Sequence, residues 1–592
     1  MSSLRQLLGN RVRASLKKLG IDADPHITPS NNPKFGDYQS NCAMSLAKAK
    51  KRNPRELAAE IIEHLDVDGI ADQPEIAGGG FINFRITPAF LAERLSRVPA
   101  DSPDGDRVGV PPVENPQTTV VDFSSPNLAK QMHIGHLRST VIGECICRVL
   151  EFSGHHVHRE NHVGDWGTQF GMLVAYMRRK RPDAVEDPDS LIVNDLEAFY
   201  VEAKQLFDED ESFKTEARQT VVQLQQGDES TRKIWQVICD VSLRHCHEIY
   251  RRLDVSITDV GESFYQELMH EVVSRLETMR DEGADWIRES DGAFCVFPEG
   301  YVNKDGEPVP EIVRKSDGGF GYFGSDLATI IDRVERLEAE RIIYVVGTQT
   351  AHLQNVFATA RRTGWAKDVE LIHLKFGNIL APNGKPFKTR EGGTYKLKDV
   401  LDEAVERARG TVEEQMQADP DGRRFDESEV RRIAEIVGLG AVKYYDMARA
   451  LQGDYKFDLD SMCSLEGNTA PYMMYAYARI KSIARKAGVD LSTMGSGAIK
   501  VEHATEIELG LKLLQFGDAV ETVARDLKPN VLTDYLYDLA KSFSRFYDKS
   551  IGVRVVDAPE AWRESRLRLC DLTARTLKKG LSLLGIGTVE QM

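Results

Sequence analysis

Cysteine is scarce and scattered in this chain, which has 8 cysteines in 592 residues and no Cys-x-x-Cys pair. The pattern therefore indicates neither a disulfide framework nor a structural zinc site, and it favours a reducing compartment. Long apolar runs are also missing, because no stretch approaches the roughly 18 residues that a membrane-spanning helix needs. We therefore expect a cytoplasmic protein with no membrane partner.

Positive charge is in the minority, with 76 lysines and arginines against 92 aspartates and glutamates and a net charge of -16. This balance argues against a protein that coats nucleic acid without specificity. It still allows a tRNA partner, because a large enzyme can carry a local basic track on an acidic body. Internal repeats are absent from the sequence, and a chain of this length should form about three to five domains.

The stretch from residue 118 to residue 140 is typical of a buried strand, a turn and the start of a helix. Apolar Val120 and Val121 precede Asp122, turn-forming residues follow, and helical periodicity begins at about His133. A helix start after a strand favours phosphate, because its unpaired N–H groups and its dipole both attract anions. We therefore expect ATP to bind here.

Two histidines flank this helix start in the run His133-Ile134-Gly135-His136. Both side chains project from one face of the first turn, and Gly135 lets a flat ring or backbone come close. Such imidazoles suit stabilisation of the charge that builds on the α-phosphate and on pyrophosphate when a carboxylate attacks. The run resembles the HIGH signature of class I aminoacyl-tRNA synthetases, and residues 125–130 resemble its arginyl-tRNA synthetase form. Small nucleotidyltransferases share the signature, so the rest of the chain has to distinguish a synthetase from a nucleotidyltransferase.

A second strand is predicted after the helix, and it ends in the glycine-rich turn from Asn161 to Gln169. This turn is closely similar to a further arginyl synthetase signature. A strand, a crossover helix and a parallel strand form one unit of a doubly wound sheet. His156 and His158 invite a metal-site interpretation, but they lack a third ligand at tetrahedral-site spacing, so no metal ligand is assigned.

A basic, glycine-flanked loop carries Lys385, Lys388 and Thr389. Its side chains have the donors to bind a polyphosphate, although many solvated loops share this composition. The three residues match the first, fourth and fifth positions of the second class I signature, Lys-Met-Ser-Lys-Ser, which the loop resembles. Pro386 and Phe387 depart from the usual middle residues, so the loop conformation stays open.

The N-terminal region begins with basic residues and with leucines at helical spacing. An organellar transit peptide is one interpretation, and we expect the other, an amphipathic helix. Residues 76–84 alternate as in a strand. The region resembles the additional N-terminal domain of arginyl-tRNA synthetases, whose partner is the tRNA elbow. That resemblance implies that Phe81 stacks on an unpaired base and Asn83 bonds its edge, whereas the alternative is a core phenylalanine and a strand-end asparagine.

The C-terminal region is helical from Leu397 onward and resembles the anticodon-binding domain of arginyl and, more remotely, cysteinyl synthetases. Tyr475 and Arg479 share a helix face, where their planes can accept splayed tRNA bases. A tyrosine-rich core face is the alternative interpretation.

The resemblance covers essentially the whole chain and implies a multidomain α/β protein. We expect a doubly wound, Rossmann-like parallel catalytic sheet, an α+β N-terminal domain and an all-α C-terminal domain. The expected domains are 1–112, which binds the tRNA elbow; 113–395, which is catalytic and has a helical insertion around 175–260; 396–460, a helical connecting region; and 461–592, which binds the anticodon.

Arginine is a planar cation with five donors, and its complement is a set of carboxylates with a hydroxyl-bearing ring. Tyr322 and Asp326 share a face if a helix begins there, although Asp326 is alternatively an N-cap. The resemblance assigns the guanidinium to Asp122, Tyr322, Asp326 and, on an ambiguous spacing, Gln349. It assigns the amino and carboxylate ends to Ser125, Asn127 and His133.

The implied reaction is arginine activation by ATP and transfer of the arginyl group to tRNA. The expected catalytic residues are His133, His136 and Lys388. The ATP-binding residues implied by the family are Lys130, His133, Gly135, His136, Lys385, Lys388 and Thr389. Magnesium should arrive with ATP, without a protein cage, and a monomer whose activation step needs tRNA is expected. The alternatives are another synthetase, a small nucleotidyltransferase and a non-catalytic tRNA-binding paralogue, against which the intact histidines and lysine argue.

Overall fold

The structure is a computed structural model that describes residues 2–30, 32–99, 106–128, 130–181, 193–347, 351–385, 387, 395–418, 424–491, 494 and 497–592. The chain divides into two compact units. One consists of Met1–Val113, Arg407–Ala448 and Asp460–Met592, and the other of Glu114–Glu406 and Arg449–Leu459. Within these described ranges, none of the helices is long and apolar enough to cross a membrane.

The N-terminal region combines a small antiparallel sheet with helices. Its helices are α1 Leu4–Lys18, α2 Cys42–Lys50, α3 Pro54–Glu63 and α4 Pro88–Ser96, and its strands are β1 Ile27–Pro29, β2 Tyr38–Ser40, β3 Glu75–Ala77 and β4 Phe81–Phe84. The strands lie in the order β1-β2-β4-β3. Helix α1 starts at a capping box on Ser3 and buries Leu4, Leu8, Val12 and Leu16. The predicted amphipathic helix is therefore confirmed.

Residues 76–84 form a hairpin, so the prediction of one strand there was wrong. Strand β3 ends at Ala77, β4 begins at Phe81, and the two pair antiparallel. Gly78 and Gly80 have φ angles of 54° and 117°, which reverse the chain between the strands. The alternation that suggested one strand spans two strands and their turn.

The second unit contains the larger sheet. Its strands are β5 Thr118–Asp122, β6 His156–Val163, β7 Thr258–Gly261, β8 Ile287–Ser290, β9 Ala293–Val296, β10 Glu311–Arg314, β11 Arg341–Gly347, β12 Glu370–Phe376, β13 Ile379–Leu380 and β14 Tyr455–Lys456. A five-stranded sheet has the order β12-β11-β5-β6-β7, and all its neighbours pair in parallel. The order runs outward from β5 on both sides, so the predicted doubly wound sheet is confirmed. Its switch point lies between β5 and β11, where such sheets bind ligands at their carboxyl ends.

Helices cover this sheet and form the insertion. They are α5 Gly135–Ser153, α6 Thr168–Lys180, α7 Val193–Glu209, α8 Glu211–Gln225, α9 Glu229–Arg252, α10 Gln266–Asp281, α11 Tyr322–Glu335, α12 Ala351–Arg362 and α13 Leu397–Ala418. The insertion helices share an apolar core with α6, in which Phe170 meets Phe213 and Ile238. Strand β7 begins at Thr258, inside the last residues of the range predicted for the insertion.

The C-terminal region is helical after residue 460, but the helical region predicted from Leu397 also contains strand β14 at Tyr455–Lys456. Its helices are α14 Glu427–Met447, α15 Leu459–Met462, α16 Ala470–Ala487, α17 Ala504–Leu514, α18 Phe516–Asp526, α19 Asn530–Tyr547 and α20 Glu560–Leu583. No strand occurs after residue 460 among the residues that the structure describes. This region and the N-terminal sheet belong to the same compact unit.

Candidate active site

The turn after strand β5 lies at the switch point of the sheet. Ser124 and Ser125 both have left-handed backbones, with φ angles of 71° and 49°. The N–H of Ser124 donates to Oγ of Ser139 over 2.8 Å, and the N–H of Ser125 donates to Oδ1 of Asn161 over 2.9 Å. Asn127 then pairs with Gly164 in a parallel bridge. The two predicted signature stretches therefore meet here.

The paired histidines lie where helix α5 begins, at Gly135, slightly later than predicted. Their ring centroids are 4.0 Å apart, and the N–H of His133 donates to Nδ1 of His136 over 3.1 Å. A Cβ on Gly135 would lie 2.8 Å from the His133 ring, so a side chain at this position would displace that ring. Nδ1 of His136 also lies 3.2 Å from the carbonyl oxygen of His133, so the His133 backbone engages Nδ1, and Nε2 is the nitrogen that can face a ligand.

Both imidazoles are neutral near pH 7. Burial and then the nearby His133 lower the pKa of His136 to about 4. Burial and then the Lys130 ammonium lower the pKa of His133. Neutral rings can donate hydrogen bonds to phosphate oxygens without bringing a full charge into the site.

Asp122 pairs with an arginine of the chain itself. The guanidinium of Arg333, which is 0% exposed, donates to Oδ2 of Asp122 and to Oε2 of Glu160, both over 2.7 Å. Oδ1 of Asp122 accepts from the Ser125 hydroxyl over 3.1 Å. Burial opposes the charge of Arg333, but attraction to Asp122 and, less strongly, to Glu160 holds its pKa well above the usual value. Asp122 therefore neutralises Arg333 and orients Ser125.

Tyr322 and Asp326 share the first turns of helix α11, as predicted. The helix begins at Tyr322 after the N-cap Gly321, so the N-cap interpretation of Asp326 was wrong. Tyr322 is 76% exposed. Oδ2 of Asp326 lies 2.5 Å from Nε2 of His352, and this hydrogen bond raises the pKa of His352. Asp326 thus presents a carboxylate at the helix start.

Glu262 is a candidate that sequence reasoning missed. It follows strand β7 directly, as Asp122 ends β5, so its carboxylate lies at the same edge of the sheet. Burial, with smaller contributions from Asp165 and Asp326, raises the pKa of Glu262 to about 7. A carboxylate directly after a strand could have indicated this site. Because the predicted insertion included residues 258–260, strand β7 was not recognised.

The phosphate-binding candidates are described only in part. Lys388 and Thr389 lie outside the described residues, as does Gln349, the candidate for the arginine guanidinium. Lys385 is exposed, and its N–H donates to Oδ1 of Asn383 over 3.0 Å. The ammonium of Lys130 lies 4.5 Å from the ring centroid of Tyr200, in helix α7 of the insertion.

The predicted tRNA-contacting residues differ in exposure. Phe81 is half-buried, whereas Asn83 is only 6% exposed, and its Oδ1 has no hydrogen-bond partner among the described residues. Tyr475 is 45% exposed and Arg479 is exposed on the same face of helix α16. Tyr477, between them, is buried, so the tyrosine-rich core face exists beside the exposed one.

Metal ligands do not gather in the parts of the chain that the structure describes. No group of three histidine, cysteine, aspartate or glutamate side chains there could hold an ion. His156 and His158 both point outward from strand β6 and are exposed. All eight cysteines are buried and none of them forms a disulfide.

Comparisons with known proteins agree with this architecture. The family model described as "tRNA synthetases class I (R), catalytic domain" matches residues 105–459. The models "Arginyl tRNA synthetase N terminal domain" and "DALR anticodon binding domain" match residues 6–86 and 473–592.

Full-length relatives are similar over the same span. An arginine--tRNA ligase from Nostoc sp. is 49% identical over 96% of this chain and 95% of its own. The arginyl-tRNA synthetase structure from Plasmodium falciparum has a TM-score of 0.84 at 29% identity, and the one from Thermus thermophilus has 0.79 at 25%; each covers 100% of both chains. The family models, the relatives and the parallel sheet, with His133 and His136 at the helix start after strand β5, all agree. This chain therefore belongs to the arginyl-tRNA synthetase family of class I aminoacyl-tRNA synthetases.

Proposed function

We propose that this enzyme activates arginine with ATP and transfers it to the 3′-terminal adenosine of its cognate tRNA, in translation. A carboxylate oxygen of arginine attacks the α-phosphorus, and pyrophosphate leaves. The 2′-hydroxyl of the terminal ribose then attacks the carbonyl carbon of the adenylate, and AMP leaves. The observation that carries this proposal is the meeting of a histidine pair and several carboxylates at one edge of the parallel sheet.

His133 and His136 stabilise the phosphate charge in the first step. Their neutral rings lie at the start of helix α5, where backbone N–H groups and the helix dipole also favour anions. In this proposal Nε2 of His136 carries the ring hydrogen and donates to a phosphate oxygen, while Nδ1 contacts the His133 backbone. These donors are fixed before charge develops, which is the condition for transition-state stabilisation.

The arginine guanidinium binds between Asp326 and Glu262, with the Tyr322 hydroxyl beside them. Burial and the nearby carboxylates of Asp165 and Asp326 raise the pKa of Glu262, and a guanidinium between Glu262 and Asp326 offsets this repulsion. Asp122 contributes through Ser125, which with Asn127 and His133 holds the amino and carboxylate ends. Gln349 is the remaining candidate, by family resemblance.

Lysines and glycines hold the triphosphate. Lys130, Lys385, Lys388 and Thr389 supply the ammonium and hydroxyl donors, and Lys388 acts as pyrophosphate charge develops. The N–H of Gly135 donates to Nδ1 of His133 over 3.0 Å, so Gly135 contributes by letting the nucleotide come close. Magnesium accompanies ATP through phosphate oxygens and water.

The tRNA is contacted at both ends of the chain. Phe81 and Asn83 bind the tRNA elbow, and Tyr475 and Arg479 stack on anticodon bases. We propose a cytoplasmic monomer, because cysteines that form no disulfide suit a reducing compartment. By family analogy, tRNA is needed for the activation step itself.

The test is ATP–pyrophosphate exchange with each of the common amino acids, with and without tRNA. Exchange that needs both arginine and tRNA is expected. Exchange with another amino acid would indicate a different synthetase. Tight tRNA binding without exchange would indicate a non-catalytic paralogue, and exchange with a small acid that is not an amino acid would indicate a nucleotidyltransferase.

A further inference from the structure

Two consecutive left-handed residues form the turn that presents Ser125 and Asn127. Neither Ser124 nor Ser125 is glycine, yet their φ angles are 71° and 49°. Such conformations are costly for residues that have a Cβ, and they persist only where surrounding contacts hold them. The contacts that hold this turn therefore determine how the arginine-binding side chains are presented.

Tyr250 is one of those contacts, and it comes from the helical insertion. Its hydroxyl lies 2.8 Å from Oγ of Ser124 and accepts from Nδ2 of Asn161 over 3.1 Å. Since Asn161 supplies a hydrogen to the tyrosine oxygen, the tyrosine's own hydrogen is free to bond Ser124. Asn161 in turn accepts the N–H of Ser125 through Oδ1. Tyr250 thus touches Ser124 directly and reaches Ser125 through one side chain.

The surroundings of Tyr250 make this hydroxyl a permanent neutral donor. The side chain is buried at the end of helix α9, and burial raises the pKa of the phenol well above its usual value. Nδ2 of Asn161 also donates to Oδ1 of Asp259 over 2.7 Å, which orients the amide. The network is therefore polarised from Asn161 through Tyr250 to the turn.

We propose that Tyr250 is a positioning residue for arginine activation, holding the Ser124–Ser125 turn in the left-handed conformation that directs Ser125 and Asn127 to the substrate. This role rests on the proposed function of the same site. The helical insertion then has a role in the active site, because its helix α9 supplies the hydrogen bond between Tyr250 and Ser124.

The principal variant is Tyr250→Phe, which keeps the ring and removes only the hydroxyl. We expect the arginine KM to rise and kcat/KM for arginine to fall about tenfold, because one buried hydrogen bond to the turn is lost. The ATP KM should stay within about twofold of wild type, since the histidine pair is untouched. Steady-state exchange kinetics with arginine and ATP varied in turn measure this split.

The matched control is Tyr265→Phe. Tyr265 is also fully buried in this unit, but its hydroxyl has no hydrogen-bond partner among the described residues. Removing it should leave the arginine KM unchanged, and melting temperatures of both variants show whether either change acts through stability.

A double-mutant cycle with Ser124→Ala tests the contact itself. If Tyr250 acts through Ser124, the two losses in arginine kcat/KM should be less than additive. An arginine KM for Tyr250→Phe equal to that of Tyr265→Phe would overturn the proposal, as would equal rises in the KM for arginine and ATP. A wild-type enzyme without arginine-dependent exchange would instead refute the proposed function.

Discussion

His136 is buried enough to stay neutral, and its role can be tested by removing the ring. His136→Ala should slow arginine activation by about 100-fold or more, because a fixed donor to developing phosphate charge is lost. The pKa of about 4 means that the loss should be present throughout the neutral range. ATP–pyrophosphate exchange measures it.

The control for His136 is His158→Ala, which removes an exposed histidine from strand β6. That variant should catalyse ATP–pyrophosphate exchange at the wild-type rate. If His136→Ala also stays within a few-fold of wild type while melting normally, the histidine pair has no catalytic role.

Asp326 is the residue on which the choice of arginine depends most. It lies within helix α11 and not at its N-cap, so a change to asparagine costs no capping bond. Asp326→Asn should weaken arginine binding by about 1.5 to 3 kcal/mol, since a charge-assisted contact becomes a neutral one. The arginine dependence of exchange measures the effect.

Asp332→Asn is the matched control for Asp326. It lies on the same helix, and its buried carboxylate accepts from the Arg336 guanidinium through both oxygens. Normal arginine kinetics are expected there. Normal kinetics in both variants would remove Asp326 from the site and weaken the assignment of arginine.

Helix α7 of the insertion contacts Lys130, a proposed ATP-binding residue, through Tyr200, whose ring faces the Lys130 ammonium at 4.5 Å. Tyr200→Leu removes this cation–π contact and should raise the ATP KM about two- to fivefold. Tyr200→Phe keeps the aromatic face and should behave like wild type. Equal ATP KM values in the two variants would mean that the ring does not position Lys130.

Elements with a local pattern could be predicted from the sequence, and contacts between distant elements could not. The strand, turn and helix of residues 118–140 follow from apolar runs, turn residues and helical periodicity. Arg333 and Tyr250 carry no such signal, because they reach the turn only after the sheet and insertion have folded. The hairpin at residues 76–84 was missed because alternation continues through its glycine turn.

At the scale of the molecule, the N-terminal sheet and the C-terminal helices form one compact unit although they are distant in sequence. The Tyr38 hydroxyl donates to Oδ2 of Asp518 over 2.8 Å, and both side chains are buried. Arg575 pairs with Asp106 over 2.6 Å across the same two regions. The proposed elbow and anticodon contacts are therefore carried by one unit.

The bond between Tyr38 and Asp518 should matter for tRNA binding because it joins the two regions that contact tRNA. Tyr38→Phe leaves a buried carboxylate without its tyrosine partner, which should cost about 1 to 3 kcal/mol of stability. Tyr535→Phe is the control, because its hydroxyl donates to the Lys512 carbonyl oxygen within the C-terminal helices and removing it costs a similar buried bond. Both variants should melt at lower temperature. Only Tyr38→Phe should raise the tRNA KM several-fold, since of these two bonds it is the Tyr38 bond that joins the proposed elbow-binding region to the anticodon-binding one. Equal tRNA KM values in the two variants would show that the regions bind tRNA independently of this contact.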